Sequence, residues 1–125
     1  MSSYYEGLPI YKSAADLFVF VDEVVRGFPR YHKYGLGQRL RDESMEIVLQ
    51  VAHCNQRETR AQGLTVLCSR IGDMKILVNL GKEVKAFVSF AQFVQVSEKV
   101  IALARQAEGW RKSAPRRNGP EPERK

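Results

Sequence analysis

The sequence predicts an all-α fold, an up-down-up-down antiparallel four-helix bundle. Three observations carry that prediction. No proline occurs between residues 30 and 114, which long helices permit and hairpin-rich sheets rarely show. Apolar residues recur at three- and four-residue spacing over four segments. The links between those segments are short, and the lone Asn-Gly turn signal, Asn118-Gly119, comes after the last of them.

The first helix begins near Pro9, where a first-turn proline is tolerated. Tyr11, Ala14, Ala15, Phe18, Val21, Val25 and Phe28 form its stripe, and Gly27 and Pro29 end it. Residues 29–37 read as a loop, with Gly35 and Gly37 opening the second helix. The stripe of that helix is Leu36, Leu40, Ile47, Val48, Val51 and Ala52, and it frays after Cys54 into a polar stretch. Along helix two, Arg39 and Glu43 are spaced to pair, and Asp42 and Glu46 to repel. The third helix, about 61 to 86, carries a regular seam of Leu64, Leu67, Ile71, Met74 and Val78. Gly72 and Gly81 inside it each cost about 1 kcal/mol against alanine, so a close neighbour or a kink is expected at each. Ser89 and Gln92 have the spacing of a capping box. The fourth helix follows with Phe90, Phe93, Val94, Val100, Ile101, Ala104, Ala107 and Trp110, and Arg111 and Lys112 suit its negative end. The bundle therefore spans 8–113, and 114–125 reads as a disordered, basic, proline-rich tail.

Apolar positions on helices one and four exceed a single stripe. Leu17, Phe20 and Val24 lie off the main face of helix one, and Phe87, Val96 and Leu103 off that of helix four. A monomer needs one buried face, so the surplus predicts self-association through Leu17, Phe20, Val96 and Leu103.

Composition narrows the function. At 125 residues and 44% apolar content, one domain with its own core is the default. Cys54 and Cys68 are the only cysteines, too few for a disulfide scaffold, which points to a reduced, cytoplasmic protein. The apolar run Leu17–Val21 is stopped by Asp22 and Glu23, so no membrane span is expected. The first ten residues hold no Lys or Arg ahead of an apolar stretch, and no secretory leader is expected either.

The net charge is +6 and uneven. Residues 1–25 hold Lys12 against Glu6, Asp16, Asp22 and Glu23, a net −3, which leaves +9 for the rest. A basic body of this kind points to an anionic partner, nucleic acid first. From Arg26 to Arg41 the chain carries Arg26, Arg30, Lys33, Arg39 and Arg41 with no acid, interleaved with Phe28, Tyr31, His32 and Tyr34. Cations meet phosphates and flat rings stack on unpaired bases; the structural alternative is that the rings seal the bundle end and the charges are simply solvated. A second cluster, Arg105, Arg111, Lys112, Arg116 and Arg117, should lie at the opposite end of the subunit. Arg111 and Lys112 join the first cluster as candidate nucleic-acid contacts.

Catalytic and cofactor chemistry finds little support. Gly35-Leu-Gly37 lacks the third glycine and the preceding strand of a dinucleotide fingerprint. His53 and Cys54 are adjacent, so on a helix they point about 100° apart and make poor joint ligands. No Glu-x-x-His stands on the helices as a carboxylate-bridged metal centre wants. We therefore expect no enzyme activity, no metal and no cofactor.

Phe28-Pro29, then Tyr34-Gly35-Leu36-Gly37-Gln38-Arg39-Leu40-Arg41, with Ile47 and Ala52 on the same helix, resembles the Avd-type four-helix bundle proteins. These are accessory variability proteins of diversity-generating retroelements, related to the proteins of intervening sequences in bacterial large-subunit ribosomal RNA genes. Glu108-Gly109-Trp110-Arg111-Lys112 is similar to the family's Gly-Trp close, and the likeness covers roughly residues 8 to 113. It implies a non-catalytic bundle assembled as a homopentameric barrel with a positive surface, which binds nucleic acid and a reverse transcriptase. Arg30, Lys33, Arg39 and Arg41 are the matching contacts. The ribosomal branch has a Ser-Ile…Asn-Ile-Ala-Glu-Gly run on helix two, where this chain reads Ile47-Val-Leu-Gln-Val-Ala-His-Cys-Asn, so the likeness leans to the retroelement branch. The alternative is a protein-interaction scaffold of the intervening-sequence type with no nucleic-acid role.

Overall fold

The computed structural model describes residues 7–114. Its elements are α1 (Pro9–Arg26), the single turn α2 (Arg30–Lys33), α3 (Leu36–His53), a 3-10 turn (Arg57–Thr59), α4 (Arg60–Glu83) and α5 (Phe90–Ser113). Helix α1 packs on α3, α3 on α4, α4 on α5, and α5 returns to α1. Four long helices joined by short links thus close a ring of neighbours, the four-helix bundle that the periodicity predicts. The stretch expected to be loop, 29–37, contains α2. Beyond Ala114, the expected tail lies outside the described residues, as do Arg116 and Arg117.

The seam of α4 is as predicted: Leu64, Leu67, Ile71, Met74 and Val78 are all buried, joined by Leu77. Helix α3 contributes Leu40, Ile47 and Val51, with Cys54 just past its end. Gly37, in the first turn of α3, lets α1 come close, since a Cβ there would sit 2.7 Å from the Val25 side chain. Of the two glycines inside α4, Gly81 has the expected close neighbour: a Cβ there would lie 2.8 Å from the Phe87 ring. Gly72 faces open space.

Helices α1 and α5 correct the sequence reading. The buried residues of α1 are Ile10, Ala14, Leu17, Val21, Val24 and Val25, with Phe28 beyond its end; those of α5 are Val96, Val100, Leu103 and Ala107. Val25 apart, each set follows an alternating three-and-four spacing, a bundle seam rotated from the expected stripes. Leu17, Val96 and Leu103 are therefore core residues, at most 1% exposed within one subunit, and form no surface between subunits. Phe20 is half-buried; its ring lies 5.1 Å from the Lys99 ammonium, which also binds Asp16 at 2.7 Å. The aliphatic side chains left exposed are others: Val19, Leu49, Val66, Ile76, Leu80, Val84, Val88 and Ile101.

Helix α4 stops three residues short of the expected end. The Ala86 N–H donates to the Gly81 carbonyl at 2.9 Å and the Lys85 N–H to the Lys82 carbonyl at 3.0 Å. This is a Schellman closure, with Lys85 in the left-handed position (φ 59°) that glycine usually occupies. At the start of α5 the Gln92 N–H donates to Ser89 Oγ at 3.1 Å. Gln92 Oε1 accepts from the Val88 N–H at 3.1 Å, so the box closes one residue earlier than the standard form.

Candidate nucleic-acid interface

Antiparallel packing sorts the cations to two ends. The end of α1, α2, the start of α3 and the α4–α5 connection meet at one: a Cβ on Gly27 would lie 2.9 Å from Val88, and the rings of Phe28 and Phe87 meet edge to face at 5.3 Å. The start of α1, the α3–α4 connection and the end of α5 meet at the other, where Leu8, Pro9 and Ile10 share a cavity of about 350 Å³ with Trp110. Of the second basic cluster, the described Arg111 and Lys112 stand at the end opposite the first.

At the first end the five predicted cations divide. Asp22 takes two of them: Arg26 Nη2 donates to Oδ2 at 2.7 Å, and Arg41 Nε to Oδ1 at 2.9 Å. The single carboxylate offsets one of the two positive charges, and Arg41, the less exposed of the pair, clamps α1 to α3. Arg39, expected to pair with Glu43, stays exposed, since Glu43 is buried against α4 and meets Arg70 at 3.4 Å. Arg30 is exposed too, and Lys33 is half-buried. None of these three meets a carboxylate within 4.0 Å among the described residues.

The α4–α5 connection brings cations that the sequence reading did not assign to this end. Lys82 and Lys85 are both exposed, Lys82 lying 3.7 Å from Glu83 and 5.3 Å from the Phe93 ring centroid. The topology itself was the signal, because in an up-down bundle the last link falls beside the first. At this end of the bundle Tyr31 is 89% exposed, Tyr34 71% and Phe90 70%. Apolar rings left this open beside cations suit a ligand that carries both phosphate and flat rings. His32 packs its ring on Tyr31 at 5.0 Å.

The second end uses two of its arginines internally, while Arg57 in the 3-10 turn is exposed with no carboxylate within 4.0 Å among the described residues. Arg60 donates from Nε to the Cys54 carbonyl and from Nη2 to the Asn55 carbonyl, both at 2.9 Å. These close the carbonyls at the end of α3, and the guanidinium lies 5.6 Å from the Trp110 centroid. Arg111 pairs with Glu108. Hydrogen bonds from Arg111 and then from the Cys68 thiol hold the Glu108 carboxyl below its ordinary value. Lys112 is exposed. Of the seven predicted contacts, Arg30, Lys33 and Arg39 remain together and available, while Arg26, Arg41 and Arg111 are tied to carboxylates and Lys112 stands apart at the far end.

The thiols are not arranged for chemistry. Burial pushes Cys54 up to about 11. Cys68 is raised by burial and by the neighbouring Glu108 carboxylate. His53 is exposed while Cys54 is buried, so the two do not converge. No helix among the described residues is long and apolar enough to cross a membrane.

No protein-family model and no curated protein matches the chain.

Proposed function

We propose that this protein is a non-catalytic nucleic-acid-binding accessory protein that works as a homo-oligomer, in the manner of the Avd-type bundles it resembles. The observation that carries the reading is the first end of the bundle. There Arg30, Lys33, Arg39 and Lys85 lack carboxylate partners among the described residues, and Tyr31, Tyr34 and Phe90 stand exposed beside them. Cations in this arrangement attract phosphate oxygens whatever the base sequence, so binding is weakly sequence-specific and falls steeply with salt. A reverse transcriptase is the protein partner that the resemblance supplies.

Self-association rests on the resemblance and on exposed aliphatic side chains, not on the core residues Leu17, Val96 and Leu103. Val66, Ile76 and Leu80 along α4 are the group that copies would cover. These same residues favour the second reading, a protein-interaction scaffold without a nucleic-acid role.

Anisotropy titration of a labelled oligonucleotide at 50 and 200 mM salt separates the two. The first reading expects binding at low salt that weakens about ten-fold or more at high salt. It also expects the double variant Arg30→Glu, Arg39→Glu to abolish binding without changing the assembly seen by light scattering. A folded protein that takes up neither single strands nor duplex at low salt sinks the first reading and leaves the second.

A further inference from the structure

The link between α4 and α5 encloses a half-open cavity of about 270 Å³, lined by Lys82, Lys85, Phe87, Val88, Phe90 and Phe93. Its apolar wall is built of rings. Phe93 lies 5.8 Å from Phe87 and 5.5 Å from Phe90, centroid to centroid. Phe87 and Phe93 are half-buried against the core, which anchors the wall, while Phe90 is 70% exposed at the mouth. The rim is cationic, with the Lys82 ammonium over the Phe93 ring and Lys85 exposed. Lys85 also holds a left-handed backbone that glycine would adopt with less strain (φ 59°), and a strained non-glycine residue at a cavity rim is a pointer to a working side chain.

An occupant must match a wall of rings set at 43° and 59° to one another and a positive rim together. An aliphatic ligand answers the wall alone, and inorganic phosphate the rim alone. A duplex presents phosphate but keeps its base faces stacked on one another. An unpaired nucleotide in a strand presents both, a base face to the rings and phosphates to the lysines on either side. We propose that the α4–α5 cavity is a stacking pocket for an unpaired base of single-stranded nucleic acid. Phe90 at the mouth takes the base face, Phe93 borders its edge, and Lys82 and Lys85 take the adjoining phosphates. Val88 lies against the end of α1, so a strand leaving the pocket runs toward α2, where Tyr31 and Tyr34 extend the stacking surface. The inference deepens the nucleic-acid reading above and rests on it.

The test is anisotropy with two labelled probes of equal phosphate number, an oligothymidine single strand and a hairpin duplex. The expected result is tighter binding of the single strand. Phe90→Ala should weaken single-strand binding about five-fold or more and leave duplex binding within two-fold. Lys85→Gly should weaken single-strand binding and flatten its log–log salt slope by about 0.7, while raising the melting temperature. A loss that accompanies a gain in stability cannot come from misfolding. Equal wild-type affinity for both probes overturns the pocket and leaves the broader reading standing, and so does a Phe90→Ala effect on both probes or on neither. Failure of both probes to bind at low salt overturns the two together. Displacement of the strand by polyglutamate of equal charge, at equal concentration, also overturns the pocket and reassigns it to acidic protein.

Discussion

The two ends of the bundle carry the same kinds of residue and use them differently. At the end where α5 finishes, Arg60 closes the last carbonyls of α3 and lies on Trp110, while Arg111 is held by Glu108. At the end where α1 finishes, Arg26 and Arg41 share Asp22, but Arg30 and Arg39 reach solvent beside rings that are 70% exposed or more. A cluster of cations in a sequence is therefore not yet a surface. What remains after structural pairing decides where an anion can dock: exposed cations remain at both ends, Arg57 and Lys112 among them at the far one, but among the described residues the exposed Tyr and Phe rings stand only where α1 finishes.

The largest expected effect concerns what lies between the ends. Leu17→Ala and Leu103→Ala each remove a fully buried side chain, and should cost about 2–5 kcal/mol. Urea unfolding should show that loss at every protein concentration. An interface residue would instead weaken assembly while leaving the folded subunit intact. A variant that dissociates at unchanged subunit stability would return Leu17 to the surface and break the contrast between core and ends.

Next in size is the contrast between arginines. Arg60→Ala leaves the Cys54 and Asn55 carbonyls without their charged donor and should cost about 1.5–3 kcal/mol. Arg30→Ala, with an exposed side chain, should stay within about 0.5 kcal/mol. Binding of nucleic acid should rank them in reverse, with Arg30→Ala weakened and Arg60→Ala unchanged wherever it remains folded. Equal stability losses for the two would erase the division of labour between the ends.

The sequence shows some of this plainly. In α4 the alternation of threes and fours Leu64-Leu67-Ile71-Met74-Val78 is unbroken, and those residues are core while Val66, Ile76 and Leu80, off that seam, are exposed. In α1 two stripes compete, because Tyr11, Ala15 and Phe18 lie beside Ile10, Ala14 and Leu17. The unbroken spacing 10-14-17-21-24-28 is the one that packs, and 96-100-103-107 on α5 likewise. Regular alternation was the better signal than the number of apolar residues. Pairing across helices could not be read at all. That Asp22 takes Arg41, or that Glu43 meets Arg70 rather than Arg39, depends on the axial register of neighbouring helices, which periodicity leaves open. The cavity between α4 and α5 was hidden for the same reason, because it forms only once Phe87 folds back on Gly81 and Phe28.

The thiols give a pH-dependent check on the second end. Cys54, beside the Arg60 clamp, has its thiol raised to about 11 by burial. Below the ordinary thiol value near 9, the folded and unfolded states are both protonated and the group has no effect on stability. Between about 9 and about 11 the unfolded chain releases the proton and the folded chain keeps it, so stability falls as pH rises. Denaturant midpoints should decline over that window, and Cys54→Ser should flatten the decline. In the native state at about pH 8, Cys54 should resist alkylation while the half-buried Cys68 is modified first. Rapid modification of Cys54 under those conditions would mean that this end opens far more readily than its packing implies.

The smallest expected effect isolates strain at the first end. Lys85 is the one non-glycine residue with positive φ among those described, and it sits at the C′ position of a Schellman closure where glycine meets no steric cost. Lys85→Gly should stabilise the bundle by about 0.5–1 kcal/mol, partly offset by the greater freedom of glycine in the unfolded chain. Lys85→Ala removes the charge but keeps the Cβ that clashes in this conformation, so it should give no such gain. Thermal unfolding should therefore order the variants with glycine highest and alanine close to the parent. The same two variants should bind single strands equally poorly, because both lack the ammonium. A stability gain for both would place the cost in the positive charge, through repulsion from Lys82, rather than in the backbone. Strain confined to this end, together with binding lost on its relief, is what a surface kept for a ligand rather than for the fold would show.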